Sequence, residues 1–253
     1  MAAKGKTVSE EGEKGAGEKA AAGIVVTKGL RKVYDSGKVK VEALRGVDLS
    51  VEEGEMVAVM GPSGCGKTTL LNCLSGLDDI TDGQVFIRGR LLTDMTDRER
   101  TRYRAEKIGF IFQAYNLLPV LTAAENVELP LLLSGTQPSK ARKKALESLR
   151  AVSLEEWKDH KPMELSGGQQ QRVTIARSLV NRPEIVFADE PTGNLDSEYS
   201  KEIMDLLMRL NKENRQTFII VTHDYNIGRM ADRIVMMKDG VIVVNTARGR
   251  VID

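Results

Sequence analysis

The chain has 253 residues, 41% of them apolar and 29% charged, which supplies a continuous core and lies outside the ranges of disordered and collagen-like chains. Lysines and arginines number 37 against 36 acids, a net charge of +1, so no chain-wide positive field attracts a polyphosphate backbone and nucleic acid is not an expected partner. The two cysteines, Cys65 and Cys73, exclude a disulfide framework and a cysteine metal site, and point to a reducing compartment, the cytoplasm.

Taken in chain order, residues 1–22 mix Ala, Gly, Lys and Glu with almost no large apolar side chain. They read as a disordered tail without the apolar region of a signal peptide, and the domain is expected over 23–253. Residues 24–33 and 43–51 alternate apolar and polar and read as antiparallel strands, the second ending at the Glu53-Gly54 turn. The apolar run MVAVM at 56–60 leads through Gly61 into a helix over 68–77, and GQVFIRG at 83–89 is another strand. The longest uncharged run, 108–124, is broken by Gln113, Asn116 and Pro119 and does not read as a membrane span.

Between 115 and 182 the texture becomes helical, with Thr122 and Glu125 spaced as a capping box, and a helical subdomain is expected there. Within it, residues 139–152 set Lys140, Arg142, Lys143, Lys144 and Arg150 opposite Leu146 and Leu149, the pattern of a solvated helix face. His160, in the charged run KDHKP, is likewise expected in solvent. A strand over 184–188, a helix carrying Ile203, Leu206, Leu207 and Leu210, and a strand over 217–222 follow. Segments 234–237 and 241–244 flank Asp239-Gly240, a hairpin signal that closes the chain with antiparallel strands. The alternation implies an α/β fold with a mainly parallel core sheet.

Gly61-Pro62-Ser63-Gly64-Cys65-Gly66-Lys67-Thr68 matches GxxxxGK[ST] between an apolar strand and a helix, the context in which that pattern binds phosphate. Glycines let successive N–H groups point inward, the helix N-terminus adds positive charge, Lys67 reaches the β/γ-phosphates, and the Thr68 hydroxyl is left for Mg²⁺, with Thr69 beside it in the same nucleotide site. Cys65 is a small residue in this electropositive loop, and bound ATP is expected to shield it from thiol reagents. Cys65 and Cys73 lie about 12 Å apart along a helix and cannot bridge. At the end of the strand IVFA stand Asp189 and Glu190, the edge of an α/β sheet where ligands bind. Asp189 suits the metal and Glu190 the general base on an attacking water. Ser166, Gly167, Gly168 and Gln169 at a helix start form a second phosphate-accepting nest, although one ATP has little use for two cradles in one subunit.

With LSGGQQQR at 165–172 the chain resembles the ABC-transporter ATPase family over nearly everything after residue 24. The stretches MGPSGCGKTTLLN, IGFIFQAYNLLPVLTAAENVELPL, LSGGQQQRVTIARSL and ADEPTGNLDS are similar to the branch of lipoprotein-releasing (LolD), macrolide-exporting (MacB) and FtsE-like ATPases. The resemblance implies a P-loop core with an antiparallel β subdomain and an inserted helical subdomain, ATP and Mg²⁺ as cofactors, and a head-to-tail homodimer. Each site would then be composite, the serine and glycines of one copy closing on the γ-phosphate held by the other. It further implies that Tyr34 stacks on adenine, that Gln113 touches Mg²⁺ and the attacking water, that Asp196 in the Asn194-Leu195-Asp196 segment crosses the dimer interface, and that His223 contacts the γ-phosphate and positions Glu190. The implied partner is a separately encoded membrane permease, with the subunit peripheral at the cytoplasmic face of the cell membrane. The Q-segment flank AYNLLPVL at 114–121 is the stretch expected to receive it. The alternative is an FtsE-like regulatory ATPase that signals to cell-wall hydrolases and moves no cargo.

Overall fold

The computed structural model describes residues 23–246; the tail expected at 1–22 lies outside the described residues. Strands β1 (Val25–Asp35) and β2 (Lys40–Val51) pair antiparallel from Val25↔Val51 to Asp35↔Lys40. The wholly buried β3 (Met56–Met60) feeds helix α1 (Lys67–Ser75), which Gly76 ends in left-handed conformation at φ 67°. Strands β4 (Asp82–Ile87) and β5 (Arg90–Leu91) complete an antiparallel sheet in the order β2-β1-β4-β5.

Helix α2 (Asp97–Lys107) has no counterpart in the sequence reading. Its segment DRERTRYRAEK buries no residue, so it carries no apolar stripe for periodicity to detect. It is held by a reciprocal cap, Thr96 N–H donating to Glu99 at 2.8 Å and Glu99 N–H to the Thr96 hydroxyl at 3.3 Å, and by the Arg102–Glu106 pair. Strand β6 (Ile108–Phe112) follows directly.

Helices α3 (Ala123–Leu133), α4 (Pro138–Ala151) and α5 (Gly167–Leu179) come next. The expected capping box opens α3, with Thr122 N–H donating to Glu125 at 2.7 Å and Glu125 N–H to the Thr122 hydroxyl at 3.3 Å. On α4, Leu149 is buried with Ala141 and Ala145, and Lys140, Lys143 and Lys144 are exposed or nearly so. His160 departs from expectation: it is half-buried, its ring centroid 4.8 Å from that of Trp157, with Nδ1 enclosed and unpartnered. Its backbone is the cause. The His160 carbonyl accepts the Ala123 N–H at 2.8 Å and that of Lys158 accepts Ala124 N–H at 2.9 Å, satisfying free donors of the first turn of α3 and pulling this segment inward.

Strand β7 (Ile185–Asp189), helix α6 (Ser197–Asn214), strand β8 (Thr217–Val221), the short α7 (Tyr225–Gly228) and the hairpin β9 (Arg233–Lys238) and β10 (Val241–Asn245) complete the chain. Asp239 and Gly240 turn the hairpin at φ 48° and 80°. The second sheet has the order β10-β9-β3-β8-β7-β6, and every pairing in it is parallel except β10 with β9. The closing hairpin is therefore antiparallel within itself, and its first arm joins the parallel core beside β3.

The strand period of two divides this sheet into two cores. Val186, Ala188, Phe218 and Ile220 face a cluster with α3, α4, α5 and α6. Ile185, Phe187, Ile219 and Val221 face a cluster with α1 and the antiparallel sheet. Each strand of the centre is buried on both faces, the arrangement that suits continuous apolar runs. The loops after β3, β7 and β8 all leave one edge of the sheet.

Candidate functional site

Residues Gly61 to Thr68 form the turn from β3 into α1. Gly61, Gly64 and Gly66 have φ 148°, 77° and 103°, a region side chains disfavour. A Cβ on Gly61 would stand 2.1 Å from the Met237 carbonyl oxygen, and one on Gly66 would stand 2.5 Å from that of Ala43. The closing hairpin also braces the loop directly, Gly240 N–H donating to the Cys65 carbonyl at 3.1 Å and Arg45 N–H to the Gly240 carbonyl at 2.9 Å. Pro62, Ser63 and Gly64 are exposed at the crest of the turn. The Lys67 ammonium folds into it, donating to the carbonyls of Gly61 at 2.8 Å and Pro62 at 2.9 Å.

The reading of Cys65 needs correction. Only 5% of it is exposed without any nucleotide, because its side chain packs beneath Gly61 and its carbonyl is taken by the hairpin. The fold, rather than ATP, shields that thiol. Cys73 is buried too, and burial pushes its thiol up to about 12.

Strand pairing brings the second group of residues to the loop. The Thr68 hydroxyl lies 3.2 Å from both oxygens of Asp189. Burial raises the Asp189 carboxyl above the ordinary aspartate range; the Thr68 hydrogen bond opposes this, and the neighbouring Glu190 charge adds to it. A half-buried carboxylate and a hydroxyl at the edge of a glycine cradle are a hard oxygen donor pair that leaves positions for phosphate and water oxygens, and they fit Mg²⁺.

Glu190 occupies left-handed backbone at φ 47°. That conformation is held by its N–H donating to the Val221 carbonyl at 2.9 Å and by Gly193 N–H donating to its own carbonyl at 3.0 Å. Its side chain is 15% exposed and meets Nδ1 of His223 at 2.7 Å, while the His223 ring is 70% exposed. Parallel pairing of β7 with β8 places the ends of both strands together, so residues far apart in sequence become neighbours.

Gln113 is bonded to the Asn194 segment: its Nε2 donates to Asn194 Oδ1 at 3.2 Å, and Asn194 Nδ2 donates to the Gln113 carbonyl at 2.8 Å. Asp196 caps α6, accepting from Glu198 N–H at 3.1 Å and Tyr199 N–H at 3.0 Å. Ser166 and Gln169 close a capping box at the start of α5, with bonds of 2.9 and 3.3 Å, and leave Gly167 and Gly168 between them without side chains.

Tyr34 is 41% exposed. Its hydroxyl donates to Asp78 at 2.7 Å, the Lys32 ammonium lies 4.9 Å over its ring, and Thr69 of α1 reaches it as well. Burial pulls the Lys32 ammonium down, yet the Asp78 carboxylate at 2.6 Å holds it above its ordinary value. Lys32 and Asp78, which orient Tyr34, escaped the sequence reading, as did Met237 and Ala43; their roles depend on strand neighbours that no local pattern encodes.

An ABC transporter family model matches residues 44–193. The chain belongs to the ABC transporter family. It is 48% identical to the ABC transporter ATP-binding protein MJ0796 of Methanocaldococcus jannaschii over 87% of this chain and 95% of that one. It is 43% identical to the lipoprotein-releasing system ATP-binding protein LolD of Xanthomonas campestris pv. campestris over 93% and 95%. It is also 50% identical to the macrolide export ATP-binding/permease protein MacB of Bdellovibrio bacteriovorus over 87% of this chain, spanning 33% of that protein. A solved dimer of the MJ0796 cassette, in a post-hydrolysis state bound to ADP and Pi, superposes with a TM-score of 0.82 at 47% identity, covering 89% of this chain and all of that one. The chain is thus an ATP-binding ATPase subunit of this family, with the cassette fold expected from its motifs, and ATP with Mg²⁺ is the pair such subunits use. Among the described residues no helix is long and apolar enough to cross a membrane.

Proposed function

We propose that two copies of this chain pair head to tail around ATP and that hydrolysis drives a separate membrane permease, holding the subunit peripherally at the cytoplasmic face. The observation that carries this reading is the cluster at the sheet edge, where Thr68 meets Asp189 at 3.2 Å and Glu190 meets His223 at 2.7 Å, beside the glycine cradle.

In this reading the N–H groups of Gly64 and of residues 66–69 and the Lys67 ammonium bind the phosphates, and Tyr34 offers its exposed face to the base. Thr68 and Asp189 hold Mg²⁺, which when bound draws charge from the phosphate oxygens. Gln113, facing the Asn194 segment, completes that shell when the copies close. Glu190 takes the proton of the attacking water, and the His223 ring keeps the carboxylate aimed. Gly167 and Gly168, at the start of α5 in the helical subdomain of residues 115–182, turn bare N–H groups toward the other copy, with Ser166 and Gln169 shaping the turn. Asp196 sits at the same face, its carboxylate orienting the first turn of α6.

The permease seat is a groove of about 430 Å³ whose lining includes Leu77, Ile108, Phe110, Phe112, Asn116 and Arg177. Leu77 is 48% exposed there, and Asn116 belongs to the flank read from sequence as the receiving stretch. An apolar floor with polar ends suits one amphipathic helix.

The test is concentration. ATPase activity per chain should fall as the protein is diluted below its pairing range, and full turnover by monomers would overturn the composite site. Pull-down of a co-expressed candidate permease should be lost on replacing Leu77, exposed in the groove, with aspartate, while ATP binding persists.

A further inference from the structure

Beyond Gln113 the chain turns through Tyr115 and Asn116, both in left-handed backbone at φ 59° and 50°. Asparagine tolerates this conformation, whereas a bulky residue such as Tyr115 rarely holds it without support from its surroundings. Arg177 on α5 imposes it: Nη2 donates to the Tyr115 carbonyl at 2.9 Å and Nη1 to the Asn116 carbonyl at 2.6 Å. Burial lowers the Arg177 pKa, and among the described residues no carboxylate pairs with it, so the guanidinium is held by the two carbonyls. Arg177 and Asn116 also line the groove assigned above to the permease.

The Tyr115 side chain runs to the opposite end of the same helix. Its hydroxyl oxygen lies 3.0 Å from the place a Cβ on Gly167 would occupy, and Leu195 lies 3.5 Å from that place on another side. Tyr115 is therefore anchored at its backbone by the C-terminal half of α5 and touches the N-terminal turn of α5 with its tip. Gln113, two residues earlier, is tied to Asn194. The groove, the Q-segment and the signature turn meet at one aromatic side chain.

We propose that Tyr115 is a positioning residue: its ring is a strut that sets the Ser166–Gly168 turn, with Arg177 locking the base of the strut. A helix seated in the groove then presses on the same helix, α5, whose first turn closes over the partner copy's nucleotide. This inference rests on the composite-site reading and adds to it the residue through which the groove and the turn are coupled.

Tyr115→Gly tests it with the backbone conformation kept, because glycine adopts φ 59° freely while the ring is removed. In a Glu190→Gln background, which retains bound ATP, the ATP concentration for half-maximal dimerisation by sedimentation should rise about tenfold for Tyr115→Gly, within the usual range of coupling between sites. The ATP affinity of dilute monomer should stay at the parent value, and the melting temperature should fall by only about 2–4 °C, the cost of a glycine in the unfolded chain. Tyr115→Phe, which keeps the ring, should behave as the parent. Arg177→Gln should reproduce the Tyr115→Gly defect, and the double variant should be no worse than either single one, as expected for residues acting as one unit. Amide hydrogen exchange gives a readout independent of dimerisation. The N–H groups of Gln169 and Gln170, bonded to Ser166, should exchange faster in the Tyr115→Gly monomer, with the amides of β3 unchanged. Parent-like dimerisation and parent-like exchange in Tyr115→Gly would overturn the strut. A Glu190→Gln parent that stays monomeric in ATP would overturn the composite site instead, and the exchange result would then decide the strut alone.

Discussion

The phosphate loop and the signature turn both begin a helix with glycines, yet they are held by different kinds of contact. The loop at 61–66 is pinned by backbone: the Met237 carbonyl against Gly61, the Ala43 carbonyl against Gly66, and Gly240 N–H on the Cys65 carbonyl. The turn at 166–169 is shaped by side chains: its own Ser166–Gln169 box, the Tyr115 hydroxyl by Gly167 and the Tyr199 ring by Gly168. Backbone in a sheet has no rotamers to exchange, whereas side chains shift by tenths of an ångström at small cost. One half of the proposed site is thus a preformed cradle and the other an adjustable cover, which suits a site that must open and close on each turnover.

The largest expected effect lies in the cradle. Glu190→Gln should lower the single-turnover hydrolysis rate about 10²–10⁴-fold while equilibrium ATP binding is retained; parent-rate hydrolysis would refute the base. On the cover, Gly168→Asp should weaken ATP-driven dimerisation about 100-fold, because its Cβ meets the Tyr199 ring at 3.3 Å and a negative charge is added to the turn that closes on phosphate, and sedimentation at graded ATP reads this directly.

A paired substitution sharpens the comparison itself. Gly66→Ala must adopt φ 103° with its Cβ 2.5 Å from a carbonyl oxygen, and should destabilise by about 1–3 kcal/mol in urea melts. Gly167→Ala meets side chains alone, the end of Tyr115 at 3.0 Å and Leu195 at 3.5 Å, and should change stability by less than about 0.5 kcal/mol. Equal losses in the two variants would abolish the distinction between backbone and side-chain support.

The last comparison is a pH slope, absent at neutral pH and developing only above pH 9.0. Burial holds the Cys73 thiol at about 12 against 9.0 for the ordinary group, so the folded state keeps a proton that the unfolded chain releases. This contribution is whole below pH 9.0 and is lost as pH rises from there toward 12, at about 1.4 kcal/mol per pH unit. Urea titrations at rising pH should show a shallower decline for Cys73→Ala than for the parent.

Much of this architecture is legible in the chain. The runs at 56–60, 184–188 and 217–222 become β3, β7 and β8 within a residue, because strands buried on both faces must be apolar throughout. Ile203, Leu206, Leu207 and Leu210 are all buried on α6, as their helical spacing requires. Helix α2 was illegible, since a helix stabilised by its cap and ion pairs has no apolar period. His160 was misread for a related reason: its burial follows from its carbonyl capping α3, a backbone duty that residue type does not reveal.

By itself the sequence determined the chemical inventory: a glycine loop with Lys67 and Thr68, two acids ending a strand, a serine and two glycines opening a helix, and a histidine after the last core strand. These are local patterns, set by what a few adjacent residues can do. Only the tertiary structure decided that the closing hairpin braces the phosphate loop, that Lys32 and Asp78 orient Tyr34, and that Arg177 holds Tyr115 against the signature turn. Each of these joins residues distant along the chain, and such contacts exist only once the parallel sheet has fixed which strands and helices are neighbours.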